Sequence, residues 1–280
     1  MTSRRTFVRT GTGALAATML PRWSWPTRYP RTLERIGVQL YTVRAEMARD
    51  LEGTLARVAE IGYKEVEFAG YFDRSPEQIR TILDGLGLSA PSGHMAFEEL
   101  GDGWSRVLDR ARSIGHEYVV IAWTPEEARR TMDDWKRIAD KFNRAGEETR
   151  RAGLTFAYHN HNFEFVPIDG KVPFDMLLQR TDPAMVKLEM DLYWLTLAGG
   201  DPFTYFRQYP GRFPMVHVKD LKRGAPQPMV DVGAGDIDFR RIFAQSEAAG
   251  IKHYFVEHDE PASPFDSISA SYRYLRRLEF

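Results

Sequence analysis

The chain has 280 residues, of which 43% are hydrophobic and 28% charged, and its 38 basic and 39 acidic side chains give a formal net charge of −1. This near-neutral net charge does not indicate the basic surface expected of a nucleic-acid-binding protein. The absence of cysteine excludes disulfides, zinc–thiolate sites and thiol nucleophiles. No apolar run in the sequence reaches the roughly 18–20 residues that a membrane-spanning helix needs.

Residues 1–30 are predicted to be an export signal and linker. Arg4 and Arg5 precede a mildly apolar stretch of small residues, 10–20, which is followed by Pro21. Paired arginines before a weakly hydrophobic segment are typical of a twin-arginine signal. We therefore expect an exported or periplasmic protein whose residues 31–280 form one catalytic domain. The alternative is a disordered basic tail on a cytoplasmic protein.

From residue 35 onward, short apolar segments alternate with longer amphipathic ones. The predicted strands cover residues 36–40, 65–68, 88–94, 118–122, 154–157, 186–190, 213–218 and 253–256. The predicted helices cover residues 51–61, 76–86, 104–114, 132–151, 174–179, 202–208, 239–249 and 264–277. In the first of these helices, for example, Leu51, Leu55 and Val58 share one face and Gly62 ends the element.

Eight consecutive strand-then-helix units predict an α/β fold, a single closed (β/α)8 TIM barrel. An open doubly wound sheet is the main alternative. However, no glycine-rich G-x-G-x-x-G turn follows the first strand, and polar residues stand at nearly every strand end.

The strand ends carry the chemistry, because the active site of such a barrel lies at the C-terminal ends of its strands. In chain order these ends hold Gln39 and Tyr41, Glu67, His94, Trp123, His159 and His161, Asp191, His217 and Lys219, and Glu257. Side chains alternate along a strand, so His159 faces the same way as His161, and His217 the same way as Lys219. Imidazoles and carboxylates together suit a divalent ion such as Mn, Zn, Co or Mg.

These segments resemble the xylose isomerase-like TIM barrel family, often called sugar phosphate isomerases/epimerases, over about residues 35–280. The resemblance is carried by residues 37–44, 158–165, 190–194, 217–220, 233–239 and 256–259. It implies one divalent metal ion, held at the ends of strands five to eight by Glu, Asp, His and Glu. Asp191, His217 and Glu257 match the last three ligands.

The first ligand position departs from the family pattern, because His159 stands where relatives keep a glutamate. The two carboxylates of Asp191 and Glu257 would then neutralise a divalent ion. In family epimerases, two metal-bound glutamates form the acid/base pair, and His159 removes one of them. Glu164 could take that role, or replace His159 as the fourth ligand, if the segment after Asn160 folds back into the mouth of the barrel.

Each of these ligands also has a purely structural interpretation. Asp191 could cap a following turn, His217 could be a buried histidine that hydrogen-bonds backbone, and Glu257 could pair with a barrel Arg or Lys. Glu67 and Glu189 lie within strands and are interpreted as members of buried ion-pair networks.

The resemblance implies an enzyme that acts on a carbohydrate or polyol by proton abstraction next to a carbonyl. Glu164 or Glu257 would remove the proton, and Lys219 or His161 would stabilise the enediolate or protonate a leaving oxygen. The candidate substrate-binding residues are Gln39, His94, Trp123 and Trp194. If the proton is then returned to the substrate, the reaction is an isomerisation or epimerisation, and an isomerase or epimerase is the main prediction.

Three alternatives stay open. A lyase or dehydratase would expel a β-substituent from a keto-sugar or an oxidised glycoside, and both His159 and the predicted export favour taking this reaction seriously. A sugar-binding protein on a decayed barrel is the non-enzymatic alternative. A metal-dependent endonuclease of the same superfamily is disfavoured by the near-neutral charge. The sequence leaves homo-oligomer formation undecided.

Overall fold

The protein is described here by a computed structural model that covers residues 31–280. The predicted export signal lies in residues 1–30 and is outside the described residues. Among the helices of residues 31–280, none has both the length and the apolar character needed to cross a membrane.

Eight parallel strands close into a barrel in which each strand pairs with its neighbours in the chain. They are β1 (Gly37–Gln39), β2 (Glu65–Phe68), β3 (Ser89–Met95), β4 (Tyr118–Ile121), β5 (Thr155–His159), β6 (Val186–Asp191), β7 (Met215–Val218) and β10 (His253–Val256). The short strands β8 (Asp220–Leu221) and β9 (Met229–Val230) form an antiparallel pair after β7. The predicted closed (β/α)8 barrel is confirmed.

Helices follow the strands and form the outer layer. They are α1 (Arg44–Arg49), α2 (Leu51–Ile61), α3 (Pro76–Leu86), α4 (Trp104–Ile114), α5 (Met132–Arg151), α6 (Pro173–Arg180), α7 (Leu192–Leu197), α8 (Pro202–Gln208), α9 (Phe239–Phe243), α10 (Ser246–Ala249) and α11 (Pro264–Leu275). The helix predicted over residues 239–249 is in fact two helices, because the backbone leaves the helical region at Gln245, with φ −98° and ψ 7°. Helices α1 and α7 were not predicted.

Local sequence explains why the predicted helices form where they do, and α3 shows it well. Its N-cap Ser75 accepts a hydrogen bond from the backbone N–H of Gln78, the Gln78 side chain bonds back, and Pro76 occupies the first turn. Gly87 ends the helix in the left-handed conformation, with φ 63°, which other residues adopt only at a cost.

The strands of the barrel separate two clusters of apolar side chains. The strand residues that point outward pack against the helices in one large apolar cluster, whereas Tyr118, Val120, Ala157, Met215 and Phe255 form a small separate cluster inside the barrel. Because side chains repeat their direction every second residue, the next inward positions after Ala157, Met215 and Phe255 are His159, His217 and Glu257. The polar site therefore lies directly above an apolar plug, at the C-terminal end of the barrel.

Candidate active site

Four buried side chains converge at the ends of neighbouring strands. His159 ends β5, Asp191 ends β6, His217 lies in β7 and Glu257 follows β10, and one ligand atom from each lies within 4.8 Å of the others. The Nε2 atom of His159 is 3.3 Å from Oδ2 of Asp191, and Nδ1 of His217 is 2.7 Å from Oε2 of Glu257. The structure thus brings the four predicted metal ligands together.

This group fits a divalent ion on the chemistry of its atoms. Although Nδ1 of His217 and Oε2 of Glu257 are so close, neither is aligned in a hydrogen bond with any residue of the described part of the chain. Buried polar atoms without hydrogen bonds are costly, and two imidazole nitrogens with two carboxylate oxygens are ligands that Zn, Mn or Co accept. A bound ion would satisfy both atoms.

Asp191 serves its own helix as well as the cluster. Its Oδ1 atom accepts a hydrogen bond from the backbone N–H of Trp194 at 2.8 Å, which caps the start of α7. Its backbone N–H is donated to the side-chain oxygen of Asn160 at 3.1 Å. The two contacts fix the carboxylate so that Oδ2 faces His159, and the turn-capping and metal-binding interpretations are compatible.

Lys219 places a positive charge beside the cluster. Its buried Nζ atom lies 2.7 Å from Oε2 of Glu257, 3.1 Å from Oδ2 of Asp191 and 2.8 Å from Oδ1 of Asp259. Burial alone would lower the pKa of Lys219, but these carboxylates outweigh it and hold that pKa well above its ordinary value. The side chain is therefore an ammonium group, able to donate protons.

His161 differs from Lys219 in charge. Burial, and then the charge of Lys219, lower the pKa of His161 to about 4, so its imidazole is neutral near pH 7. Its buried Nδ1 atom has no hydrogen-bond partner in residues 31–280, and its ring stacks on Phe163 at 5.3 Å between centroids. A neutral imidazole with an unpartnered nitrogen can accept a proton or bond a substrate hydroxyl.

A cavity of about 720 Å³ opens above the cluster. Its walls include seven of the predicted site residues, His94, Trp123, His159, His161, Trp194, Lys219 and Glu257. Trp123 and Tyr41 also line it and keep 44% and 43% of their surface exposed. Exposed aromatic rings at the mouth of a polar cavity are suited to stacking on sugar rings.

Gln39 does not lie in the cavity wall, contrary to its predicted role in binding substrate. It is fully buried, its side-chain oxygen accepts the backbone N–H of Tyr41 at 3.0 Å, and its Nε2 atom donates to Glu67 at 2.8 Å. Both ends of the Gln39 amide are engaged in these two hydrogen bonds, so the role of Gln39 is to hold Glu67.

Glu164 lies behind strand β5, and the hypothesis that it reaches the mouth of the barrel is corrected. In a 3-10 turn over Phe163–Phe165, its carboxylate accepts the hydroxyl of Tyr158 and the backbone N–H of His161, the latter at 2.9 Å. Tyr158 points outward, with its ring 4.9 Å from that of Phe142 in α5. Burial raises the pKa of Glu164 to about 7. It is positioned neither as the base nor as a ligand.

Beneath the cluster lies a second group of polar residues, whose two glutamates the sequence interpretation treated only as members of ion pairs. Glu67, His94, Glu189 and His217 bring donor atoms within 4.8 Å of one another. Nε2 of His217 lies 2.7 Å from Oε2 of Glu67, and Nε2 of His94 lies 2.9 Å from Oε2 of Glu189. The two-residue period that places Glu189 beneath Asp191 was the available signal. Asp259, two residues after Glu257, was likewise overlooked.

Comparisons with known proteins agree with the fold. The family model described as xylose isomerase-like TIM barrel matches residues 55–278. The inosose dehydratase of Lacticaseibacillus casei is 25% identical over 254 residues, which cover 76% of this chain and 85% of that protein. The crystal structure of a sugar phosphate isomerase/epimerase from Parabacteroides distasonis superposes with a TM-score of 0.76 at 27% identity, covering 86% of this chain and 93% of that one. A structure of the IolI protein with a zinc atom has a TM-score of 0.70 at 14% identity, covering 85% and 95%, which shows a shared fold.

Proposed function

The chain belongs to the xylose isomerase-like TIM barrel family, and from its site we infer that it is a metal-dependent lyase that eliminates a β-oxygen substituent from a keto-sugar or an oxidised glycoside. The proposal replaces isomerisation, the main prediction from the sequence, with the alternative of elimination. Similarity to dehydratases, such as the inosose dehydratase of L. casei, supports this choice.

The observation that carries the proposal is the pairing of a neutral imidazole with an ammonium group in one cavity. His161 and Lys219 both line the cavity next to the four converging ligands. Elimination needs one group that takes a proton from carbon and another that gives a proton to the departing oxygen. Epimerisation instead uses like groups on both faces of the carbon. The β5 side of this site offers His159, while Glu164 is turned away behind the strand.

The protein's own residues account for the proton movements. His161 accepts the hydrogen of the carbon next to the carbonyl, and the electron pair of that C–H bond forms a carbon–carbon double bond as the β-carbon–oxygen bond breaks. Lys219 donates its proton to the departing oxygen, so that water or an alcohol leaves with an unsaturated ketone as the second product. His159, Asp191, His217 and Glu257 would hold the divalent ion, which would supply a Lewis acid that polarises the carbonyl.

The aromatic rim favours a substrate larger than one sugar ring. Trp123 follows β4 and Tyr41 follows β1; both line the same cavity, and each keeps more than two fifths of its surface exposed. A ring departing from the reacting sugar could stack on Trp123, because indole faces bind the apolar faces of rings. This supports an oxidised glycoside over a free keto-sugar.

An aryl glycoside oxidised at carbon 3 tests the proposal, since its carbonyl stands two carbons from the departing oxygen. We expect the protein, loaded with Mn²⁺ or Zn²⁺, to release 4-nitrophenol from the oxidised 4-nitrophenyl glucoside and to leave the unoxidised glucoside intact. Reaction in D₂O separates the alternatives. An isomerase or epimerase would return a deuterated sugar with the aryl group still attached, and a sugar-binding protein would change neither compound.

We also propose that residues 1–30 direct export of the folded protein. The pair Arg4 and Arg5 supports this proposal. A double Arg4→Lys/Arg5→Lys variant should remain in the cytoplasm in cell fractionation, where the unaltered chain is exported. Equal distribution of the two chains would leave the basic-tail interpretation in its place.

A further inference from the structure

We propose that Glu67 is a positioning residue that fixes the imidazole of His217 from below, so that Nδ1 is left free to bind the metal. The inference rests on the metal dependence of the proposed function. Glu67 does not line the cavity and is not one of the four converging ligands. It reaches them only through the far side of the His217 ring.

Glu67 is an acceptor surrounded by donors. Its Oε2 atom accepts hydrogen bonds from Nε2 of His217 at 2.7 Å and from the side-chain amide of Gln39 at 2.8 Å. Its Oε1 atom accepts a hydrogen bond from the hydroxyl of Ser92. The side chain is fully buried. A buried carboxylate is stable only when charged or polar groups satisfy it, and these contacts do so.

The orientation of Gln39 explains why Glu67 must be the acceptor. The oxygen of the Gln39 amide accepts the backbone N–H of Tyr41 at 3.0 Å, so the amide nitrogen is the end that faces Glu67. A chain of hydrogen bonds thus runs from the backbone of Tyr41, just after β1, through Gln39 to Glu67 and on to His217. Each member fixes the direction of the next.

The proton on His217 decides whether that side chain can bind a metal. An imidazole binds a metal through a nitrogen without a proton, and the hydrogen bond of the other nitrogen determines which one that is. A carboxylate accepts and cannot donate, so Glu67 holds the proton on Nε2 and leaves Nδ1 facing Glu257 at 2.7 Å. The His94 ring, stacked on that of His217 at 5.3 Å and 15°, limits its rotation.

The same residues could instead form a second metal site, because Glu67, His94, Glu189 and His217 also converge within 4.8 Å. That alternative would take Nε2 of His217 as a ligand. A neutral imidazole offers only one unprotonated nitrogen, so His217 cannot serve an ion above and an ion below. Our proposal therefore predicts one ion per chain, bound at Nδ1 of His217, whereas an ion in the second group would be bound at Nε2.

The chain contains a matched control two residues away. Glu65 also lies in β2, is buried, and pairs with a histidine of another strand, His253, whose Nδ1 atom is 2.9 Å from Oε2 of Glu65. This pair sits at the opposite end of the barrel and belongs to neither group of converging ligands. Glu65→Gln repeats the chemical change of Glu67→Gln without touching His217.

Titration of the metal-free protein with Co²⁺, followed by its visible absorption and by competition with a chelator, tests the proposal. We expect one Co²⁺ per chain in the unaltered protein, affinity about 10–100-fold weaker in Glu67→Gln, and little change in Glu65→Gln. Equal affinity in Glu67→Gln and the unaltered protein, or two ions per chain, would overturn the proposal. Absence of Co²⁺ binding to the unaltered protein would overturn it together with the metal-dependent reaction.

A second measurement covers the case in which Glu67→Gln does not fold. In the unaltered protein loaded with Zn²⁺, the ¹⁵N spectrum of the His217 side chain should show the proton on Nε2 and a metal-shifted Nδ1. A proton on Nδ1 would overturn the proposal. Failure of the lyase reaction is a separate outcome, because both measurements use the metal alone. If Co²⁺ binds as expected but no aryl group is released, only the elimination reaction is overturned.

Discussion

The Nζ atom of Lys219 lies 2.7 Å from Oε2 of Glu257, so a cation stands within contact of a metal-ligand carboxylate. This arrangement balances charge once a divalent ion is present. The ion and Lys219 contribute three positive charges, and Asp191, Glu257 and Asp259, the carboxylates around Lys219, contribute three negative ones. The charges of these groups cancel, which lowers the cost of burying Lys219 beside two metal-ligand carboxylates.

Replacing Lys219 should abolish elimination without removing the metal. Lys219→Met keeps most of the side-chain volume but cannot donate a proton to the departing oxygen, so aryl release should fall on the order of 10²–10⁴-fold. Bound metal, measured by elemental mass spectrometry, should stay near the level of the unaltered protein.

The control for that substitution is Lys222→Met. Lys222 lies just beyond β8, pairs with Asp236 at 3.2 Å and is half-exposed. Its replacement should leave aryl release unchanged. If Lys219→Met keeps its rate, Lys219 is not the proton donor.

Glu164 should make the stability of the protein depend on pH. Its pKa is raised to about 7 in the folded chain from an ordinary 4.5, so the native state binds more protons than the unfolded state between these values. The free energy of unfolding should therefore fall as the pH rises from about 4.5 to 7, by up to roughly 3 kcal/mol from this group.

Urea unfolding of the unaltered protein and of Glu164→Gln at pH 5 and pH 8 measures this effect. Comparing the two proteins cancels the contributions of other titrating groups, and the variant should lose less stability between the two pH values. Parallel pH profiles would show that Glu164 ionises normally in the folded chain.

Trp123 should affect substrate preference more than the chemical step. Trp123→Ala removes an exposed ring from the cavity wall, so KM for the oxidised aryl glucoside should rise several-fold with kcat nearly unchanged, because stacking is worth about 0.5–1.5 kcal/mol. KM for an inosose, which has no departing ring, should change little. An equal rise for both substrates would place Trp123 against the reacting ring.

Asp220 should be a stability residue although it belongs to a family-like segment. Its buried carboxylate accepts the backbone N–H groups of Leu221, Gly233, Gly235 and Ile237 at 2.8–3.2 Å. Asp220→Asn turns an N–H₂ group towards backbone donors, which should cost about 1–3 kcal/mol in thermal or urea unfolding.

Asp236→Asn provides the comparison in the same loop, since Asp236 bonds Lys222 and the backbone of Arg223 at a more exposed position. It should cost less than Asp220→Asn, and both should bind metal normally. A larger loss of stability in Asp236→Asn would show that Asp220 is not the main stabilising carboxylate of this loop.

The sequence predicted the barrel well because each element carries its own signals. Glycines such as Gly62 and Gly115 end helices whose apolar residues repeat at helical spacing, so several helix boundaries were predicted at their observed residues. Helix α7 (Leu192–Leu197) was missed because its residues are mostly apolar and begin directly after β6, leaving no polar boundary. Only the cap that Asp191 provides separates the two elements.

The site was predictable to the extent that it depends on strand ends. Alternation along each strand was enough to bring His159, Asp191, His217 and Glu257 together. The direction of Glu164 was not predictable, because it depends on a 3-10 turn in which the carboxylate bonds the backbone of His161. The contact of Glu67 with His217 was also missed, since it crosses the barrel between residues 150 positions apart.

The metal content of the purified protein decides whether the four converging side chains form a metal site. Elemental mass spectrometry of the unaltered chain and of an Asp191→Ala/His217→Ala double variant, both loaded with Mn²⁺ or Zn²⁺ and then dialysed, compares the site with and without two of its ligands. The structure predicts about one divalent ion per chain, lost in the double variant. No bound ion in either protein, or equal amounts in both, would contradict a metal site built from these four residues.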